Sequence, residues 1–338
     1  MSAGLLWEGQ EGVFLSDAAS TRLIVPHAGL ADVAVDDGWV VVAEQRGPEA
    51  GRIGGTLAPV AGLTRCPPIR ATSFFSGEST VETVADGDLY AVVRGGCVGG
   101  RPKQAEFVVR VHLGSRRLNV VGRVPSGAVS LAAAGPRLAL TYKLGRENRV
   151  RVDVVDSRHA RPLYSLITPP GQAKALYGET TIDATGDVLV TGDEPNPVPA
   201  ALLISPEQAW WGDSRTRAAH PLGVRFAALS EGYIAYAPSG KVKGERIDVL
   251  NIASGTTRTA VTFSGSAKLE GFGVGAHVLA WSQQSYAYKL TPRNPCVALF
   301  AVGDTELNEV PLSASGPPIT VNASPGTPPA GEACPAPR

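Results

Sequence analysis

The sequence predicts an all-β fold, and two observations indicate which one. The first is a recurring pattern of two apolar strands joined at a glycine, as in VSLAAAGPRLALTY around Gly135. The second is its period, since successive anchor glycines lie 49, 48, 51, 46 and 43 residues apart. These glycines are Gly38, Gly87, Gly135, Gly186, Gly232 and Gly275. A repeat of this length that contains only strand signals is typical of a β-propeller blade. We therefore predict a seven-bladed β-propeller of four-stranded antiparallel blades.

Each repeat divides into four strands, which we call A to D from the propeller axis outward. Strand A precedes the corner glycine and is rich in small residues, which suits the crowded region near the axis, and strand B follows the corner. Strand C alternates apolar and polar residues and is predicted at 106–113, 149–157, 201–205, 246–254 and 296–303. Strand D is more polar, as expected of an exposed sheet edge, and is predicted at 116–124, 256–263 and 306–312.

The two ends of the chain are predicted to share one blade. Residues 12–27 fit a C–D hairpin, and residues 317–323 fit an A strand. Six complete repeats plus this split one make seven blades, and pairing strands from both termini removes the free edges of an open array. The alternative is six blades with an accessory N-terminal hairpin. We place the propeller at residues 1–322 and a proline-rich tail at 323–338.

Composition limits the classes of partner. Lys and Arg number 31, as do Asp and Glu, so the formal net charge is zero and no overall field attracts nucleic acid or an anionic membrane. No apolar run reaches the length of a membrane span. The N-terminal MSAGLLWEGQEG lacks the basic and apolar segments of a signal peptide, so an export signal is absent from this chain or has been removed. The oligomeric state is not predicted.

Four cysteines allow three pairings. We predict the pairs Cys66 with Cys97 and Cys296 with Cys334, because Cys334 otherwise sits in a tail with no reason to be ordered. Four unpaired thiols are the alternative. Paired cysteines favour an extracellular or periplasmic location over a reducing cytoplasm.

The repeat at 229–258, LSEGYIAYAPSGKVKGERIDVLNIASGTTR, resembles the blades of TolB-like and WD40-like propellers. It has an acidic-Gly corner, a short apolar strand, a loop, and an I-x-V strand that ends in a glycine turn. The chain departs from those families in having no Trp-Asp dipeptide at the ends of its blades and no Ser-x-Asp-x-Gly box. The resemblance implies a protein-binding scaffold in a bacterial envelope, although fold alone does not fix function.

We predict no catalytic residue, no metal site and no cofactor. There is no Gly-x-Ser-x-Gly motif, and the five histidines lack the spacing of zinc ligands. His277 is predicted to be a hydrogen-bonded corner residue. The acidic corner residues are alternative calcium ligands, but they are spread over different blades, so we interpret them as solvated carboxylates. These residues are Asp36, Asp37, Asp86, Asp88 and Asp187.

The charges predict a basic face. In such a blade the B–C and D–A loops lie at one end of the propeller, and the A–B and C–D turns lie at the other. The B–C loops carry Arg46, Arg52, Arg94, Arg101, Lys103, Lys143, Arg146, Lys241, Lys243, Lys289 and Arg293. The D–A loops add Arg65, Arg70, Arg123, Lys174, Arg225 and Lys268, whereas the A–B corners are acidic or neutral. We predict that this face binds an anionic partner, an acidic protein surface or a polymer. The alternative is that loops are charged everywhere.

Aromatic residues provide a second contact candidate. Trp210 and Trp211 are predicted to lie in a long C–D turn, where one indole is exposed as a partner contact or folds back over the blade edge. Tyr286 and Tyr288 are in the longest B–C loop and are placed at the mouth of the channel.

These observations together predict a non-enzymatic, exported scaffold that binds a protein or an anionic polymer through its loop face. Two alternatives stay open. One is a hydrolase or lyase with its site in the central channel, which the small residues of the A strands disfavour. The other is a structural surface or filament subunit.

Overall fold

A computed structural model describes most of the chain. The described residues are 5–9, 12–16, 21–26, 33–42, 47–73, 77–80, 82–144, 149–168, 180–191, 209–222, 224–238, 246–263, 267–275, 278–285, 305–311 and 319–324. Nearly all of them belong to strands or tight turns. Within these ranges, no helix is long and apolar enough to cross a bilayer.

The strands form small antiparallel sheets in chain order, numbered here sheets 1 to 7. Sheet 1 has three strands: β1 (Leu5–Gly9), β2 (Gly12–Ser16) and β3 (Thr21–Pro26). Sheet 2 consists of β4 (Val33–Asp36), β5 (Trp39–Val42), β6 (Glu49–Arg52) and β7 (Ala58–Pro59). The helix α1 (Ala61–Arg65) and a hairpin of β8 (Arg70–Ser73) and β9 (Gly77–Thr80) follow. Sheet 3 consists of β10 (Glu82–Ala85), β11 (Asp88–Arg94), β12 (Glu106–His112) and β13 (Arg117–Val124).

The four remaining sheets each have four strands in sequential order. Sheet 4 consists of β14 (Ala128–Ala134), β15 (Arg137–Leu144), β16 (Arg149–Asp156) and β17 (Pro162–Ile167). Sheet 5 consists of β18 (Thr180–Ile182), β19 (Val188–Thr191), β20 (Ala209–Asp213) and β21 (Ala218–Leu222). Sheet 6 consists of β22 (Val224–Ser230), β23 (Tyr233–Pro238), β24 (Arg246–Asn251) and β25 (Thr256–Thr262). Sheet 7 consists of β26 (Ala267–Gly275), β27 (Val278–Ser285), β28 (Thr305–Pro311) and β29 (Ile319–Ser324).

The first strands of sheets 2 to 7 lie side by side. Strand β10 contacts β4 and β14, β18 contacts β14 and β22, and β22 contacts β26. Each four-stranded sheet therefore starts at the inside and runs outward, which is the radial arrangement of a β-propeller. The all-β, four-stranded propeller fold that the glycine period predicts is confirmed. The count of seven blades stays a prediction.

The core is divided into clusters between neighbouring sheets. Sheets 3 and 4, for example, meet at Val92, Val108, Leu138 and Leu140, all buried. Because successive strand residues point to opposite faces and each sheet has a neighbour on both faces, the middle strands must be apolar at nearly every position. Strand β11 fulfils this requirement, since Leu89 to Val93 are all buried. The hydrophobic burial that stabilises the fold is thus made mainly between blades.

Tight turns join the A and B strands at one end, which we call the corner end. Asp37 and Gly38 have φ values of 45° and 75°, and Asp86 and Gly87 have 53° and 73°. Two successive residues with positive φ are the requirement of a type I′ hairpin turn, which explains the recurrent acidic-Gly pair. The opposite end, with the B–C and D–A connections, is called the loop end.

Two strand assignments made from the sequence are wrong. Residues 306–312, predicted as a D strand, overlap β28, the third strand of sheet 7, which pairs with β27. Residues 317–323, predicted as an A strand, overlap β29, the fourth strand of that sheet. In sheet 5 the third strand is β20, which lies in the segment predicted as a long C–D turn. The predicted C strands at 201–205 and 296–303 lie outside the described residues. Sequence pattern identifies segments that suit a strand, but it does not fix their order in a sheet.

The chain ends also differ from the expectation. The predicted hairpin at 12–27 is present as β2 and β3, but β1 precedes it and pairs with β2. Among the described ladders, none joins sheet 1 to β29. Sheet 1 instead packs on sheet 2 through Ile24 and Val25. The strand β29 ends at Ser324, past the predicted start of the tail at 323.

Candidate functional site

A disulfide joins two connections at the loop end. Cys66 directly follows α1, in the D–A connection between sheets 2 and 3, and is bonded to Cys97 in the B–C loop of sheet 3. Their Cα atoms are 5.1 Å apart, and the bond closes a sequence separation of 31 residues. Cys66 is buried, whereas Cys97 is exposed. This is one of the two predicted pairs; Cys296 and Cys334 lie outside the described residues.

Helix α1 is anchored between sheets 2 and 3. The side chain of Leu63 is fully buried in the cluster formed by these two sheets. Gly62 lies against Leu118 of β13, so that a Cβ at this position would be 3.0 Å from a Leu118 methyl carbon. The disulfide therefore connects the B–C loop of sheet 3 to a firmly packed element.

The loop from 95 to 105 is itself folded back on sheet 3. The N–H of Gly95 donates to the carbonyl oxygen of Ala105 at 2.8 Å. The N–H of Ala105 in turn donates to the carbonyl oxygen of Pro102 at 3.1 Å. A side chain at Gly95 would place its Cβ 2.3 Å from the Pro102 oxygen and 2.7 Å from the Phe107 ring. Glycine is therefore required at this position, and the loop is closely packed at its base.

Four basic residues flank the disulfide in the sequence or lie in the loop that it anchors. We call them the basic cluster: Arg65, Arg94, Arg101 and Lys103. All four are exposed. Arg65 ends α1, Arg94 ends β11, and the other two lie in the loop. The Arg101 guanidinium lies 5.6 Å from the centre of the Phe107 ring. Among the described residues, no ion pair engages any member of the cluster, so its charges face solvent.

Two acidic residues of the adjoining strands are partly buried. Glu106, at the start of β12, accepts a hydrogen bond from the N–H of Gly127 at 3.0 Å. Glu49 is half-buried in β6. The basic cluster is therefore a local surplus of positive charge on a protein whose formal net charge is zero.

The other predicted cations of this face are distributed as follows. Lys143 belongs to β15, Arg225 to β22 and Lys268 to β26, and Arg123 is exposed at the end of β13. Arg70 starts β8. Outside the described residues lie Arg46, Arg146, Lys174, Lys241, Lys243, Lys289 and Arg293, together with Tyr286 and Tyr288.

Arg52 is placed at the wrong end by the sequence interpretation. It is the last residue of β6 and pairs with Trp39, so it lies at the corner end. Its guanidinium donates to the Asp37 carbonyl at 3.0 Å and lies 4.3 Å from the centre of the Trp39 ring. Residues 49–52 form the strand β6 and pair with β5, so Arg52 does not belong to the B–C loop to which the sequence interpretation assigned it.

The corner end has charges of both signs. Its C–D turns present exposed arginines that the sequence analysis did not consider, namely Arg116, Arg117, Arg158, Arg161, Arg215 and Arg217. A recurrent Ser followed by Arg at the end of a C strand is the signal that could have identified them. The A–B corners present the exposed acidic residues Asp37, Asp86 and Glu231.

Several corner carboxylates are buried rather than solvated, which corrects our interpretation of Asp187. Asp183 and Asp187 are 4% and 5% exposed. The Asp187 carboxylate accepts hydrogen bonds from the Thr185 hydroxyl at 2.9 Å and from the N–H of Ser214 at 2.8 Å. Burial raises the pKa of Asp36, although N–H groups of Asp86 and Gly87 oppose the rise. Among the described residues, no group of three or more potential ligands is arranged for a metal ion.

The two adjacent tryptophans lie in a strand and not in a turn. Both belong to β20, and Trp210 is only 2% exposed, packed between sheets 4 and 5. Trp211 points to the other face, where its ring stacks on His220 with centroids 4.3 Å apart. Period-two alternation in a strand with neighbours on both faces explains how both indoles find cover. Trp210 is therefore not available as a surface contact.

Comparison with known proteins gives the fold and little more. No protein-family model matches the chain, and no curated protein matches it in sequence. Puromycin hydrolase is similar in structure, with a TM-score of 0.52 and 13% identity over 98% of this chain and 55% of the hydrolase. Its S511A mutant complexed with PGG gives 0.51 and 14% over 93% and 50%. The Dos1 propeller gives 0.44 and 12% over 86% and 83%.

The chain thus spans about half the length of the two hydrolase structures. At identities this low, the similarity shows a shared fold and says nothing about the activity of this chain. The function therefore has to be argued from the surface of this chain.

Proposed function

We propose that this chain is a non-enzymatic propeller scaffold that binds an anionic partner through the basic cluster at its loop end. The observation that carries the proposal is the combination of four exposed cations with a loop fixed by a disulfide and by close backbone packing. The partner is an acidic protein surface or an anionic polymer. No contact to nucleic acid is proposed.

Rigidity supports a binding role for this loop. A loop that is already ordered loses little conformational entropy when a ligand binds, so more of the electrostatic attraction is expressed as affinity. An exposed cation that is not held in an ion pair also need not break one before binding. We expect the interaction to weaken with salt, because solvent-exposed charges are screened beyond about 8 Å at physiological ionic strength.

Charge reversal tests the proposal. In the triple variant Arg94→Glu, Arg101→Glu and Lys103→Glu, we expect the affinity for poly-L-glutamate or for a sulfated polysaccharide to fall about tenfold or more, since each lost exposed pair contributes up to about 1 kcal/mol. Titration calorimetry at two salt concentrations measures both the affinity and its salt dependence. Comparing the two probes shows whether the cluster prefers an acidic polypeptide or an anionic polysaccharide.

The matched control moves the same charge change to the other end of the propeller. The variant Arg116→Glu, Arg117→Glu and Arg161→Glu alters three exposed arginines of the corner end. It should retain the wild-type affinity. Equal losses in the two variants, or a loss in the control alone, would show that the basic cluster is not the binding site. Thermal melting confirms that both variants are folded.

We also propose an extracellular or periplasmic location, in a bacterial envelope. The support is the disulfide, because such bonds persist in oxidising compartments and are rare in the cytosol. Alkylation of free thiols in intact cells, followed by mass spectrometry of the 66–97 pair, tests it. A reduced pair in freshly alkylated cells would contradict this location.

A further inference from the structure

The backbone at the tip of the B–C loop of sheet 3 forms a concavity lined by N–H groups. Residues Gly95–Cys97 make a single 3-10 turn, which ends where the N–H of Val98 donates to the Gly95 carbonyl oxygen at 3.2 Å. Val98 has φ −99° and ψ 27°, and Gly99 and Gly100 have positive φ values of 57° and 65°. A residue near the right-handed helical region followed by one with positive φ makes a nest, in which successive N–H groups face an anion together.

The N–H groups of the two glycines in this nest are available to a ligand. Gly99 and Gly100 are exposed, and no acceptor among the described residues takes either N–H group. No described atom lies within 4 Å of the place that a Cβ would take at either glycine, so the concavity is open. Val98, in contrast, packs against the apolar cluster of sheets 2 and 3. Because Val98 and the disulfide at Cys97 hold the loop, the donors are in position before a ligand arrives.

Two members of the basic cluster are held close to the nest. The Cβ of Arg101 lies 3.2 Å from the place that a Cβ would take at Gly95, and the Cγ of Lys103 lies 3.4 Å from the corresponding place at Gly96. Arg101 also directly follows Gly100 in the chain. The loop therefore presents two backbone donors and two exposed cationic side chains in one short segment.

We propose that the nest at residues 98–100 binds one phosphate or sulfate monoester group, and that Arg101 and Lys103 neutralise its charge. The inference rests on the proposed function, because it assigns the ligand chemistry of the same surface. A phosphate monoester presents three acceptor oxygens, so it can bond both glycine N–H groups and a cation together, whereas a carboxylate has only two oxygens. This chemistry favours an anionic polymer over an acidic protein surface as the partner.

Titration with inorganic phosphate and with inorganic sulfate tests the nest directly. Isotope labelling of the valine carbonyl carbon and the glycine nitrogen selects, by NMR, the glycines that follow valine, namely Gly99, Gly122, Gly275 and Gly303. We expect the Gly99 amide proton to move downfield and saturate with phosphate or sulfate, but not with chloride at the same ionic strength. The Gly122 signal, from β13, should not move. The ion that binds more tightly indicates which ester the site prefers.

Two substitutions at one position separate the nest from the charges. Gly99→Val places a β-branched residue at a positive φ, which such residues rarely adopt, whereas Gly99→Asn is compatible with that conformation. In titration calorimetry with the sulfated polysaccharide, Gly99→Val should bind about tenfold more weakly or worse, the effect of losing a hydrogen bond to a charged group. Gly99→Asn should retain the wild-type affinity, and its missing NMR signal assigns Gly99.

The matched control for the valine substitution is Gly54→Val. Gly54 also has a positive φ, 79°, and no described atom within 4 Å of the place for a Cβ, but it lies between β6 and β7 at the corner end. This variant should bind the sulfated polysaccharide like the wild type. A loss of affinity equal to that of Gly99→Val would contradict the nest.

Three further results would overturn the proposal. They are a Gly99 signal that does not respond to phosphate or sulfate, a response that chloride reproduces, and equal affinities of Gly99→Val and the wild type. If the charge-reversal variant of the basic cluster still loses affinity in these cases, the proposed function stands and only the nest is excluded.

Discussion

The carboxylate of Asp183 accepts a hydrogen bond from the backbone N–H of Gly232 at 2.7 Å and so joins the corner of sheet 5 to the corner of sheet 6. Its other oxygen accepts from the N–H groups of Thr185 and Gly186, at 2.9 and 3.0 Å. On the opposite side, the Arg137 guanidinium in the corner of sheet 4 donates to the Ala184 carbonyl. Three consecutive blades are therefore linked by polar contacts at the corner end, in addition to their apolar cores.

Replacing Asp183 by Asn should weaken this link selectively. The amide oxygen can still accept from the turn N–H groups, but the NH₂ group then faces the Gly232 N–H, leaving a buried donor without an acceptor. We expect a loss of about 1–3 kcal/mol in the free energy of unfolding, measured by urea denaturation. The control Asp86→Asn changes an exposed corner carboxyl, and asparagine tolerates its positive φ, so it should change stability little. An equal effect in both variants would refute the inter-blade role.

Gly122 in β13 allows sheet 3 to approach sheet 4 closely. A Cβ at this position would lie 2.7 Å from the Ala160 methyl carbon and 2.8 Å from the His159 carbonyl oxygen. We expect Gly122→Ala to reduce stability by about 1–3 kcal/mol, because the backbone of the facing turn must move. Gly273→Ala in β26 is the matched control, since no described residue lies within 4 Å of the place that a Cβ would take there, and it should be neutral or slightly stabilising. Thermal denaturation of the two variants compares them directly.

The blade pattern was predictable because it depends on local requirements. Positive φ at Gly38 and Gly87 favours glycine whatever surrounds the turn, and this signal recurs along the chain. The strand order of sheet 5 was not predictable. Trp210 and Trp211 precede Gly-Asp-Ser, which resembles a turn. The strand β20 is favourable because sheets 4 and 6 cover the two tryptophan rings, and this packing is not visible in the local sequence.

The candidate site was predictable to a similar extent. Arg94, Arg101 and Lys103 lie at the loop end as expected, because they occupy the connection between two clearly apolar strands. The role of Asp183 could not be foreseen, since its partner Gly232 is 49 residues away in the chain. A buried carboxylate that satisfies turn N–H groups has the same local sequence as a solvated one.

The disulfide should contribute substantially to stability. Closing a loop of this length contributes about 3–4 kcal/mol on the chain-entropy estimate. We test it in a background with Cys296→Ala and Cys334→Ala, so that only the 66–97 bond responds to reductant. Dithiothreitol should lower the melting temperature of this background protein, and adding Cys66→Ala and Cys97→Ala should abolish the effect of the reductant. A reductant effect that survives the loss of both cysteines would contradict this assignment.

Asp213 should make the contact between sheets 5 and 6 sensitive to acid. Burial alone raises the pKa of this carboxyl, but hydrogen bonds from the N–H groups of Arg215 and Thr216 and from the Arg215 guanidinium lower the pKa below its ordinary value. The same guanidinium donates to the Ile252 carbonyl of sheet 6 at 3.1 Å. A carboxyl whose pKa is lower in the folded state stabilises the protein above its unfolded pKa of about 3.9, and this stabilisation is lost as the pH falls through the folded value.

Asp213→Asn should therefore be less stable than the wild type at pH 6, and the difference should shrink as the pH is lowered through 4 and below. Parallel stability curves from pH 6 to pH 3, measured by urea denaturation, would show that the charge of Asp213 does not contribute.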